Sequence, residues 1–203
     1  FLGFFFNACI LGFWAALWYL LLPKKLSIPF VRVFQANSFM STSCNTIPFP
    51  GGHAIGVMAL ARRTKVGHTV ALSVLALDQL MEGFAKVFVL TLVVIFVPLP
   101  ELMGQAILVF IAAIGFFASI MFYFAHKKPE AREGQEAVSV KGKVRAFVSS
   151  WSAHLEVLRD MRIFSLGLLL ALLMMFTQTL GIWAVQKSLN LDLPVWAPIL
   201  VMG

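Results

Sequence analysis

Three ionisable residues, Asp78, Glu82 and Lys86, recur every fourth position inside an otherwise apolar run. On an α-helix residues four apart lie above one another, so the three form one stripe on one face. A charge at the centre of a bilayer costs about 2.5 to 3.5 kcal/mol on insertion scales, so three facing lipid would cost roughly 8 to 10 kcal/mol. The stripe must therefore face a bundle interior, pair internally or lie near an interface. Two readings stay open. One is a Glu82 to Lys86 pair with Asp78 near the cytoplasmic surface; the other is a polar cavity that receives a charged lipid headgroup or relays protons.

A second group precedes it. Pro50, Gly51, Gly52 and His53 stand at the expected start of a short helix, where free N–H groups and the helix dipole favour an anion such as a phosphate. His53 could equally satisfy a local backbone group, and the glycines could serve close helix packing. A broken helix beside an acidic helix is how many transporters build a midplane site. The remaining candidates are weaker. Cys9 and Cys44 read as small packing residues, with no CxxC or His/Cys spacing that would hold a metal. His68, His126 and His154 read as solvated interfacial residues. No GxSxG, HExxH, P-loop or GxGxxG occurs, and no nucleophile has an evident base, so no enzyme, cofactor or metal is expected.

The elements that position these residues follow from composition. Of 203 residues 60% are hydrophobic and 12% charged, too few polar groups to cover a soluble domain, so the chain is expected to be an all-α, multi-pass membrane protein. Its net charge of +7 fits cytoplasmic basic loops better than nucleic-acid binding. Full spans are expected over Phe1 to Leu22, His68 to Val97, Met103 to Ala125 and Ile163 to Val185, with a further segment opening at Leu191. The first has neither a basic leader nor a small-residue cleavage site, so it does not read as a signal peptide. Lacking an initiator Met and stopping as a new apolar run begins, the chain reads as a single membrane domain and a fragment of a longer one.

The segment Leu26 to Ala61 is interrupted by Arg32, Gln35, Asn37, a Ser/Thr run, Pro48 and Pro50. Backbone groups freed there need protein or a watery cavity around them. We expect a helix from about Pro29 to Asn45, a break, and a short helix from about His53 to Ala61, both ends on one side as a re-entrant element. Arg62, Arg63 and Lys65 make the basic turn that follows. Residues 127–162 read as a cytoplasmic loop and an interfacial amphipathic helix, with Val144, Phe147, Val148, Trp151, Leu155, Leu158 and Met161 at helical spacing. A re-entrant segment puts nearly all basic loops on one face, which a single crossing between Lys25 and Arg62 would not.

The stretch Ser41 to Lys86 resembles the flippase-like family of the lysylphosphatidylglycerol synthase membrane domain. Members commonly read P-x-x-x-G-E, then an Arg, a basic turn, and E-R-x-x-D on the next helix. Pro48, Gly52 and His53 fall on the first motif; Asp78, Gln79 and Glu82 fall on the second. His53 stands where members tend to have Glu, and Gly56 where they have Arg. The resemblance implies a multi-pass domain that binds or moves lipid-linked substrates, with Pro50, Gly51, Gly52, His53, Asp78, Gln79, Glu82 and Lys86 as the substrate-binding set. The expected function is thus a lipid flippase-like transporter in the cell membrane, with anionic lipid headgroups as partners. The alternative is a membrane-embedded scaffold or binding subunit of an envelope-lipid or polysaccharide synthesis system, working with a protein partner or as a homo-oligomer.

Overall fold

The computed structural model describes residues 1–24, 26–47, 50–96, 101–126, 160–191 and 197–202. Seven α-helices account for nearly all of them: α1 (Leu2–Leu21), α2 (Phe30–Thr46), α3 (Gly51–Thr64), α4 (His68–Phe96), α5 (Glu101–His126), α6 (Met161–Ser188) and α7 (Ala197–Met202). No strand occurs among the described residues. The expected all-α, multi-pass architecture with a broken re-entrant element is the one found.

Four helices are long and apolar enough to cross a membrane: Leu2–Leu21, His68–Phe96, Glu101–Tyr123 and Met161–Ser188. They are the four spans that the apolar runs indicated. With 29 residues, α4 is about 44 Å long at about 1.5 Å per residue, so it tilts or projects from a core of about 30 Å. The start of α6 is fixed by Asp160, whose carboxylate accepts from the backbone N–H groups of Arg162 at 2.9 Å and Ile163 at 3.4 Å. Such a cap satisfies donors that the first helical turn leaves open. Met161 and Arg162 therefore stand in the first turn of α6; the rest of the expected amphipathic segment, Lys143 to Arg159, lies outside the described residues.

The centre of the bundle is α1, packed most extensively on α6, with α4 against both. Gly167 of α6 makes room there, since a methyl group on it would meet Leu17 and Met81 at 3.5 Å. On the far side of α4, Gly83 receives Ile114 of α5. These small residues let helices approach where lipid offers no hydrophobic drive to association.

The pair α2 and α3 forms a tight antiparallel hairpin. Gly52 faces Cys44, Gly56 faces the Met40 side chain, and Arg63 bonds Gln35 at 2.8 Å, so moving up one helix means moving down the other. A methyl group on Gly52 would stand 2.6 Å from the Cys44 Cα, a distance that only glycine permits. α2 ends at Thr46 and α3 begins at Gly51, earlier than expected, so that α3 has 14 residues instead of nine. Nothing stops the helix at Arg62; it ends where Lys65 adopts a left-handed conformation with φ 57°. With about 25 Å in α2 and 21 Å in α3, the hairpin needs no extended segment to reach its depth.

The polarity of α2 is largely absorbed by its own backbone. The hydroxyls of Ser38, Thr42, Ser43 and Thr46 donate to carbonyls one turn back, at 2.8 to 3.0 Å. Each of these hydroxyls thus has an acceptor within its own helix.

Candidate functional site

Asp78 lies ten residues into α4, about 15 Å from His68 at about 1.5 Å per residue, about one third of the helix length. Its side chain is wholly buried. Trp14 of α1 donates its indole N–H to the carboxylate, 3.1 Å from each oxygen, so a single proton is shared between two acceptors. One turn further along α1, Trp18 stacks edge-on against Trp14 with ring centres 6.2 Å apart. The Trp18 indole is also turned toward Asp78, yet its buried Nε1 closes no hydrogen bond among the described residues. Asp78 therefore sits in a box of two indoles about one third of the way along α4.

The rest of the stripe opens outward. Glu82 and Lys86 are half-buried, and Glu82 feels Asp78 on one side and Lys86 on the other. Two carboxylates and an ammonium thus follow one another along α4 over about 12 Å, at about 1.5 Å per residue. Gln79, beside Asp78 in sequence, is exposed, and its side-chain amide interacts with the Asp78 carboxyl.

The second group centres on the start of α3. Pro50 is exposed, and its carbonyl accepts the Ala54 N–H at 3.1 Å. Among the described residues no side chain caps the helix. Gly51 and His53 are half-buried and Gly52 is buried against Cys44. The His53 Nδ1 lies 3.7 Å from the Cys44 Sγ, which joins the imidazole to the last turn of α2. Measured along α3, His53 is about 17 Å from Thr64, so it stands about as far from the basic turn as Asp78 does on α4. The expected residues therefore gather around two centres at similar depth: His53 with Cys44, and Asp78 with Trp14 and Trp18.

Several side chains at these centres carry no sequence motif. Trp14 and Trp18 are visible only as indoles deep in an apolar span, each with an N–H that needs an acceptor. Asn37 of α2 is wholly buried, with both amide atoms unpartnered among the described residues. Elsewhere, a groove of about 730 Å³ runs between the end of α1, residues 22–29 and α6, with Tyr19, Leu20, Ile28, Leu166 and Leu169 as walls and Lys24 at its edge. Its volume falls in the usual range for a ligand the size of a lipid tail. Among the described residues, no three His, Cys, Asp or Glu side chains converge as a metal site would require.

A family model described as the lysylphosphatidylglycerol synthase TM region matches residues 1–203, the whole of the chain. The chain belongs to this family. The lysylphosphatidylglycerol synthase TM region is a membrane domain, and the four spanning helices make this chain a membrane-embedded, multi-pass member of it. No curated protein and no solved structure matches the chain. Within the family frame, the Gly56 position has a structural reason: it is buried on Met40, where a longer side chain would force α2 and α3 apart.

Proposed function

We propose that the chain is a flippase-like transporter that binds a lipid or lipid-linked substrate and carries its headgroup past the two centres. The observation that carries this reading is Asp78: a carboxylate wholly buried within a spanning helix and held by an indole, with a second carboxylate one turn away. Such a group is costly in a membrane and is characteristic of a substrate or proton path. In this reading the headgroup approaches the uncapped start of α3 at Pro50, Gly51, Gly52 and His53, where an anion is favoured. Asp78, Glu82 and Lys86 balance its charges, and Gln79 contacts it from the outer face of α4. The groove beside Lys24 offers a place for an acyl chain.

The transporter sits in the cell membrane with its basic loops cytoplasmic, performs no covalent step itself, and takes anionic headgroups as ligands. The test is lipid translocation in vesicles. Asp78→Asn and Glu82→Gln each slow translocation at least about tenfold while the protein stays folded, the loss expected when about 1.4 kcal/mol of a path's stabilisation is removed. Rates equal to wild type would remove the stripe from the mechanism.

A second reading rests on α5. It packs on α4 and leaves Leu108, Val109 and Phe116 exposed along its length. A membrane-embedded scaffold or binding subunit would present such a face to a protein partner or a second copy. Stable co-purification without transport activity would favour it.

A further inference from the structure

The outer side of the α2–α3 hairpin carries a pocket of about 240 Å³ lined by Phe39, Ile55, Met58, Ala59, Arg62 and Arg63. Its two ends differ in chemistry. Phe39 and Met58 are 52% and 44% exposed, an apolar floor that water would leave costly. Arg62 and Arg63 are exposed in the last turn of α3, and among the described residues no acidic side chain lines the pocket. Arg63 is held in place by its bond to the Gln35 Oε1, which uses one of its five N–H donors. The antiparallel register puts Arg32 at the same end of the hairpin, and Lys65 follows directly after α3. Four cations therefore lie at one end of the hairpin.

We propose that this pocket is a site for an anionic membrane phospholipid, retained as a fixed component of the hairpin and separate from the transported headgroup. The guanidiniums take the phosphate and the net negative headgroup, and the first methylenes of one acyl chain lie over Phe39, Ile55 and Met58. The size agrees. A space of about 240 Å³ is many times the roughly 10–15 Å³ that one water needs, room for a phosphate and the top of a chain whose remainder runs along exposed apolar side chains. Charge selects the occupant: planar guanidiniums bind phosphate bidentately, and their surplus positive charge disfavours a headgroup that carries its own cation. None of the residues at the two centres lines this pocket.

The experiment is native mass spectrometry of the full chain released from mixed nanodiscs of phosphatidylglycerol and phosphatidylcholine. Wild type retains one phosphatidylglycerol after the annular lipids have left. Each basic residue near an anionic surface is worth about fivefold in binding, so Arg62→Gln with Arg63→Gln lowers retention about 25-fold. Retention also falls as ionic strength rises, a measurement that needs no variant. Equal retention of both lipids by wild type, retention unchanged by salt, or a double variant that folds and keeps its lipid would each overturn the proposal.

Discussion

Replacing Trp14 by Phe removes the proton shared by the two Asp78 oxygens and keeps an aromatic ring in place. Because one N–H serves both acceptors at 3.1 Å, the loss counts as one hydrogen bond to a carboxylate. In water-soluble proteins such a bond is worth about 1.5 to 3 kcal/mol. Inside membranes measured couplings average about 0.6 and reach about 1.7 kcal/mol, because the separated helices find other partners. Asp78 is wholly buried, so no water replaces the indole, and the coupling belongs near the upper end of that range, about 1 to 1.7 kcal/mol. The assay is reversible unfolding in mixed micelles by increasing SDS, applied to Trp14→Phe, Asp78→Leu and the double variant. Trp14→Phe should cost more in the wild-type background than in the Asp78→Leu background, by that amount. The same cycle with Trp18→Phe should close within about 0.5 kcal/mol, the error of additivity, because the Trp18 N–H makes no bond among the described residues. A Trp14 cycle that also closes within that error, or a Trp18 coupling as large as that of Trp14, would refute the assignment of Trp14 as the donor.

Two further outcomes concern the hairpin. Gly52→Ala brings a methyl group 2.6 Å from the Cys44 Cα, so the helices must separate by about 1 Å; overpacking of this kind costs about 1 to 3 kcal/mol, read as a lower Tm in detergent. Gly12→Ala, with open space around it, should leave Tm unchanged or raise it, and equal effects of the two would sink the close-packing account. Lys65→Gly relieves a left-handed residue at the end of α3 and should stabilise by up to about 1 kcal/mol, measured by the same thermal scan.

The spanning helices were legible because hydropathy depends on chain-local composition, and Pro23, Pro98 and the charged residues mark their ends. The hairpin was legible in kind, since prolines and glycines cannot break a lipid-facing helix without shelter. Its dimensions were not. Arg62 and Arg63 look like a turn by charge, yet a helix end welcomes cations, and both stay within α3. The stripe Asp78, Glu82 and Lys86 was visible by spacing, but which partner Asp78 takes depends on α1, 64 residues away, and no local pattern announces that contact. Cys44 and His53 share no sequence pattern, because the fold of the break decides whether they meet. That the hydroxyls of α2 turn back onto their own helix was not legible either, because serine and threonine can equally bond outward.

The seam of Gly52 and Gly56 bears on how the protein is made. Neither α2 nor α3 is among the helices apolar enough to cross a membrane by itself, so neither has reason to leave the aqueous face alone during synthesis. Paired, they bury Asn37 and Ser43 of α2 and Thr64 of α3 and gain a partner surface. Second in the chain, the hairpin is thus expected to be among the later parts to enter the bilayer, waiting at the surface until α1 and α4 stand ready to receive it.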